Sequence, residues 1–82
     1  MTDRHTHLFA DLRSILVEEL RILAPDIDPA ASVLDLGLDS LARMELSVAL
    51  DQRLGIALPA QALRSAETLG DIVALMDAQS AG

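Results

Sequence analysis

Few side chains in this 82-residue chain are placed to do chemistry. A nucleophilic serine needs a base within hydrogen-bond reach and a third group that orients the base. The two histidines, His5 and His7, fall in an N-terminal stretch expected to be loose, so no frame holds a Ser-His pair. Two imidazoles two positions apart on such a tail also make a poor metal site, and no metal is expected. Glu18 with Glu19, and Asp26 with Asp28, are paired carboxylates. With no cleft to desolvate them they are surface charge rather than a general acid and base. The Asp26-Ile-Asp28 start lacks the glycine and glutamate spacing of a calcium loop. Absence of cysteine excludes disulfides, thiolate metal sites and an intrinsic thiol nucleophile. Nothing here points to an enzyme, yet one serine stands apart. Ser40 lies where a loop meets a helix, after a glycine that permits a tight turn, next to Asp39 and just ahead of an apolar trio. Taken alone, that setting is also that of an ordinary helix N-cap.

Composition narrows the classes further. Thirteen acidic residues face six basic ones, all arginine, for a formal charge of −7. A phosphate backbone is repelled by that charge, and with Phe9 the sole aromatic there is no platform for stacked bases, so nucleic acid is not an expected partner. A charge-selected partner is basic. No apolar leader segment and no run near 18 apolar residues is present, so no membrane association and a cytoplasmic location are expected. The hydrophobic half of the chain is mostly Leu and Ala, which favour helix, while Tyr and Trp are absent. An all-α fold follows, and the length allows a single domain over residues 1–82.

The helices that position Ser40 can be placed by periodicity. Leu8, Leu12, Ile15, Leu16, Leu20 and Leu23 recur at helical spacing, with Phe9 and Ile22 flanking them, and predict a first helix over about 6–23. Pro25 and Pro29 then break the pattern and open a long loop over about 24–38, with Ile27, Val33, Leu34 and Leu36 as its apolar anchors. Asp39 or Ser40 caps a second helix over about 40–54 that ends at Gly55, a left-handed cap. On that helix Leu46, Leu50 and Leu54 share one side, while Leu41, Met44 and Val48 lie nearly opposite. The first group faces the core, and the second predicts a partly exposed docking patch. Ala60–Arg64 predicts a single short turn of helix, and Thr68-Leu-Gly-Asp71 has the spacing of a capping box before a last helix over about 69–78. Residues 1–6 and 79–82 are expected to fray. The architecture is a small antiparallel bundle of three main helices plus one short one.

The string Asp35-Leu-Gly-Leu-Asp-Ser-Leu41 closely resembles the attachment motif of acyl carrier proteins. The resemblance runs from about Leu8 to Met76. It takes in the Met44-Glu45-Leu46 segment, the Leu-Gly-Ile-x-Leu-Pro stretch from Leu54 to Pro59 and the Thr-Leu pair that opens the last helix. It implies that Ser40 receives a 4′-phosphopantetheine arm from a separate phosphopantetheinyl transferase, which supplies the base and the metal ion. The arm brings the thiol that this chain lacks, and holds acyl intermediates as thioesters while they pass between enzymes. By the same resemblance Asp39 helps the transferase dock, and Leu41, Met44, Glu45 and Val48 match positions that acyl-loading, ketosynthase-like or tailoring partners read. A shelter for the acyl group lined by Leu46 and Leu50 is a further expectation.

Departures from the family point to the pathway. Carriers of bacterial fatty-acid synthesis have a strongly acidic second helix, whereas here Arg43 and Arg53 offset Glu45 and Asp51. Arg43 falls near the presumed core stripe, where it is expected to snorkel over the loop. The Leu-Gly-Leu-Asp-Ser-Leu wording resembles polyketide-type carriers more closely. Peptidyl carriers often have Gly-Gly before the last residue ahead of the serine, so Leu38 speaks against an aminoacyl cargo, although a peptidyl carrier stays as an alternative. A non-carrier helical interaction module, with Ser40 a mere cap, is the remaining one. The opening Met1 and short flanks lead to the expectation of a free-standing monomer.

Overall fold

The computed structural model describes residues 3–22 and 27–80. These described residues form four helices: α1 (Asp3–Glu18), α2 (Ser40–Leu54), α3 (Ala60–Leu63) and α4 (Leu69–Ser80). Helix α1 packs against α4 and α2, and the single turn of α3 packs against α2. The described residues form no strand; an isolated bridge joins Ser32 of the long loop to Thr68 ahead of α4. The all-α bundle of three main helices and one short helix is thus what forms.

Its core takes Leu12, Ile15 and Leu16 from α1, Leu46, Ala49 and Leu50 from α2, Leu63 from α3, and Leu69, Ile72, Val73 and Met76 from α4. No polar residue is buried among the described residues. Each fully buried Leu or Ile contributes roughly 1.5–3 kcal/mol relative to exposure. The two groups on α2 separate as its periodicity predicts: Leu46 and Leu50 are fully enclosed and Leu54 half-buried, while Leu41, Met44 and Val48 are 63%, 56% and 55% exposed.

Helix α2 ends at Gly55, whose left-handed φ of 67° suits a residue without Cβ. Helix α1 departs from its predicted span at both ends. It starts by Asp3, so residues 3–6 are helical rather than frayed, and it stops at Glu18. There Arg21 adopts φ 58°, a left-handed turn that no helix continues, and the Ile22 amide folds back onto the Leu16 carbonyl at 2.9 Å. Leu20 and Ile22 pack half-buried against the core from this turn, which is why their spacing imitates further helix. Leu23, Pro25 and Asp26 lie outside the described residues. At the other end, α4 runs two residues past its predicted stop, so the expected fray does not begin at 79.

Candidate functional site at the start of α2

The loop that delivers the chain to α2 is a succession of turns rather than a slack connection. Leu36 N donates to Ser32 O at 3.1 Å, Gly37 N to Leu34 O at 3.0 Å and Leu38 N to Val33 O at 3.0 Å. Gly37 has φ 81°, which reverses the chain so that Asp39 N reaches Gly37 O at 2.9 Å. Val33 is buried, and Ile27 and Leu36 half-buried, as expected of anchors. Leu34 is not an anchor: it is 73% exposed, because the turn that closes onto its carbonyl carries its side chain outward. Its place in the core is taken by Leu38, fully buried two residues before Ser40.

Asp39 and Ser40 divide the roles that were left open between them. Asp39 is extended (φ −79°, ψ −169°), and its carboxylate accepts from the Ala42 amide at 2.9 Å while its carbonyl accepts from Arg43 N at 2.9 Å. The cap is therefore Asp39. Ser40 becomes the first helical residue, exposed, with a hydroxyl that makes no hydrogen bond to the described residues. The Ser40 and Leu41 amides also have no partner among the described residues. A serine serving as the cap would have its oxygen engaged; here the oxygen is not engaged by any described residue.

Two grooves flank this point. Leu41, Met44, Glu45 and Val48 come together along one of about 370 Å³, which Glu19 of the α1 end, Ala49 and Gln52 complete. Glu19 is not visible from α2 alone, since it arrives through the turn that ends α1. The second groove, about 300 Å³, lies between α2 and α3 and is lined by Ser40, Arg43, Met44, Ala60, Gln61 and Arg64. Arg43 thus faces α3 rather than covering the long loop as expected. Leu46 and Leu50 line neither groove; both are packed into the core.

The other candidates have structural work. Glu18 Oε1 and Glu19 Oε2 lie 3.0 and 3.5 Å from the Arg53 guanidinium, tying α1 to α2. His5 Nε2 is 3.1 Å from Asp77 Oδ2, and Arg4 also pairs with that carboxylate, so the N-terminal stretch is fastened to α4. The His5 hydrogen bond, foremost, and Arg4 hold the Asp77 carboxyl below its ordinary value. His7 is exposed. Asp28 accepts from the Ala30 amide at 2.8 Å, a local turn. At α4, Asp71 Oδ2 accepts from the Glu67 and Thr68 amides at 3.0 and 3.1 Å while Thr68 Oγ1 accepts from Asp71 N at 3.2 Å, a reciprocal capping box. The Glu67 and Thr68 amides are the leading causes that lower the Asp71 carboxyl.

The family model described as "Phosphopantetheine attachment site" matches residues 10–76. The chain is 36% identical over 67 residues to the acyl carrier protein of Helicobacter pylori, covering 80% of this chain and 86% of that one. It is 38% identical over 74 residues to the acyl carrier protein MbtL of Mycolicibacterium paratuberculosis, covering 89% and 83%. No solved structure gives a significant match. With a family match over most of its length, relatives of this identity and a helical fold that presents a serine at the start of α2, the chain belongs to the acyl carrier protein family, whose prosthetic group is 4′-phosphopantetheine.

Proposed function

We propose that Ser40 is the attachment point of the 4′-phosphopantetheine arm and that the chain carries acyl groups for polyketide or other specialised biosynthesis. The observation that carries the attachment reading is the division of labour at α2, where Asp39 caps the helix and leaves the Ser40 hydroxyl exposed and without a partner among the described residues. The residues fit the group. The Ser40 and Leu41 amides, without partners among the described residues, and the positive end of the helix would favour the phosphate of the arm. Asp39 opposes that attraction, but its carboxylate is turned to the Ala42 amide. Among the described residues no side-chain base is hydrogen-bonded to Ser40, so the proton must leave to a group of the phosphopantetheinyl transferase. In that transfer a bond forms from Ser40 Oγ to phosphorus as the pyrophosphate link of coenzyme A breaks and its nucleotide part departs. The group, once bound, supplies the thiol for thioester chemistry.

The chain's own contribution to traffic is the face it shows its partners. Leu41, Met44 and Val48 supply apolar contact, and Glu19 and Glu45 at the margin favour a partner with basic residues around an apolar patch. Of the two carboxylates on this face Glu19 is paired with Arg53, so Glu45 alone carries an unpaired charge within the described residues and the face is only mildly acidic. That weak acidity supports a specialised pathway over the basic enzymes of bacterial fatty-acid synthesis. Met44→Glu is expected to weaken transfer to a partner without changing helix content.

The test of attachment is mass spectrometry after incubation of the chain with coenzyme A and a broad-specificity phosphopantetheinyl transferase. Wild type gains the mass of one phosphopantetheinyl group and Ser40→Ala gains nothing. No gain on wild type, or an equal gain on Ser40→Ala, refutes the assignment. Charging the loaded protein with an acyltransferase and, separately, with an adenylating enzyme then distinguishes acyl from aminoacyl cargo.

A further inference from the structure

The groove between α2 and α3 has a charge that the rest of this acidic chain does not prepare for. Arg43 and Arg64, two of only six basic residues, line it together with Ser40, and no carboxylate is among the lining residues. Neither guanidinium is ion-paired within the described residues, although the chain has 13 carboxylates; the pairs that do form use Arg4, His5 and Arg53. The Arg43 Nε is buried and lacks a hydrogen-bond partner among the described residues. A buried donor on a charged group is costly to leave unmade, so such an atom marks a place where an acceptor is expected. Arg43 is three residues after Ser40, which puts both side chains on one face of α2.

We propose that Arg43 and Arg64 are an anion clamp for the phosphodiester on Ser40, the Arg43 guanidinium turning on loading so that its enclosed Nε–H gains an acceptor, and that the clamp lays the first part of the arm into the α2–α3 groove. The inference rests on Ser40 being the attachment point. Guanidinium is suited to a phosphodiester, whose two free oxygens accept from its planar fork. The clamp also gives a physical reason for two arginines beside an acidic helix cap: they offset Asp39 at the atom where a second negative charge is added. A direction for the arm follows. The groove on α3 and the Leu41/Val48 face lie on either side of Met44, which lines both. An arm held toward α3 leaves the Leu41/Val48 face open for a partner protein.

The test uses the full chain loaded with the arm, as wild type, Arg43→Gln, Arg64→Gln and, as a control that does not line the groove, Arg13→Gln. Mass spectrometry first establishes loading of each. Phosphorus NMR then reads the phosphodiester, and cross-peaks from isotope-labelled arm to protein read where the arm lies. In wild type and Arg13→Gln the arm gives contacts to Ala60 and Gln61, and the Arg43 Nε–H resonance moves on loading. Arg43→Gln or Arg64→Gln shifts the phosphorus resonance and cuts the contacts to α3 about fivefold. Raising salt has the same effect as the substitutions in wild type and little effect in the variants. Loaded variants with wild-type phosphorus shifts and arm contacts, or a wild-type arm that touches Leu41 and Val48 instead, overturn the clamp while leaving Ser40 as the attachment point. A wild type that takes no arm overturns both.

Discussion

Helices α2 and α4 begin in the same chemical language and use it to opposite ends. At α4 every first-turn amide has an acceptor: Leu69 N bonds to Ala31 O at 3.1 Å, Gly70 N to Pro29 O at 2.8 Å, and the Asp71 and Ile72 amides to Thr68 O at 3.1 and 3.3 Å. The Thr68–Asp71 box adds three more bonds across the junction. The fit is close enough that a Cβ at Gly70 would sit 3.1 Å from Pro29 O. At α2 the cap residue satisfies only Ala42 and Arg43, while the Ser40 and Leu41 amides and the Ser40 hydroxyl have no partner among the described residues. A Cβ at Gly37, on the approach to this helix, would meet nothing within 4 Å. One terminus is saturated and serves to pin the long loop. The other is held by a single aspartate and left open, the condition that the proposed attachment at Ser40 requires.

The largest test of that contrast removes the buried leucine behind each terminus. Leu38 precedes α2 and Leu69 opens α4, and both are fully buried. Truncation of either to Ala is expected to cost about 2–5 kcal/mol in urea denaturation, a large part of the stability of a domain this small. Only Leu38→Ala should also slow loading at Ser40 when the two variants are compared at equal folded fraction. Equal slowing in Leu69→Ala would erase the functional difference between the termini. A middle-sized test is Gly37→Ala. With open space around it, its cost comes from φ 81° alone, roughly 1–2 kcal/mol. A variant as stable as wild type by the same denaturation would show that the turn before Ser40 does not depend on left-handed backbone.

How far these two termini could be read without coordinates differs for physical reasons. The α4 box was legible because it is a local exchange between residues three apart, Thr68 and Asp71, whose types name the bonds they make. The span of α2, its Gly55 cap and its two apolar groups were legible for the same reason, since helical periodicity is a short-range property. At the site, the choice between Asp39 and Ser40 as cap was not, because both can accept from a first-turn amide and only the backbone angles decide. Nor was the exchange of Leu34 for Leu38 in the core, which depends on how consecutive turns aim side chains. Arg21 ending α1 in a left-handed turn runs against residue preference, so periodicity overran it. Glu19 and Arg64 joined the two grooves through tertiary packing, which no local spacing encodes.

Smaller effects separate charge from capping. Thr68→Ala and Asp39→Ala each lose a cap and should each cost about 1 kcal/mol by chemical denaturation. Asp39→Asn keeps an oxygen for the Ala42 amide, so its stability should stay within a few tenths of a kcal/mol of wild type. Loading of Asp39→Asn should nevertheless slow if the charge steers the transferase, and unchanged loading kinetics would reduce Asp39 to a cap.

The smallest expected effect is one of pH, and it belongs to α4. Asp71 is held below its ordinary value of 3.8, first by the Glu67 and Thr68 amides. A carboxyl depressed in the folded state binds its proton more readily when unfolded, so its contribution to stability is present above the unfolded value and is lost as pH falls through the folded one. The slope of stability against pH below about 4 should therefore flatten in Asp71→Asn. Asp77 is depressed in the same window, chiefly by His5, so the comparison needs Asp77→Asn beside it. If Asp71→Asn leaves the acid limb of a urea titration series unchanged while Asp77→Asn flattens it, the saturated terminus owes its hold to the Ala31 and Pro29 carbonyls rather than to the charge of its box.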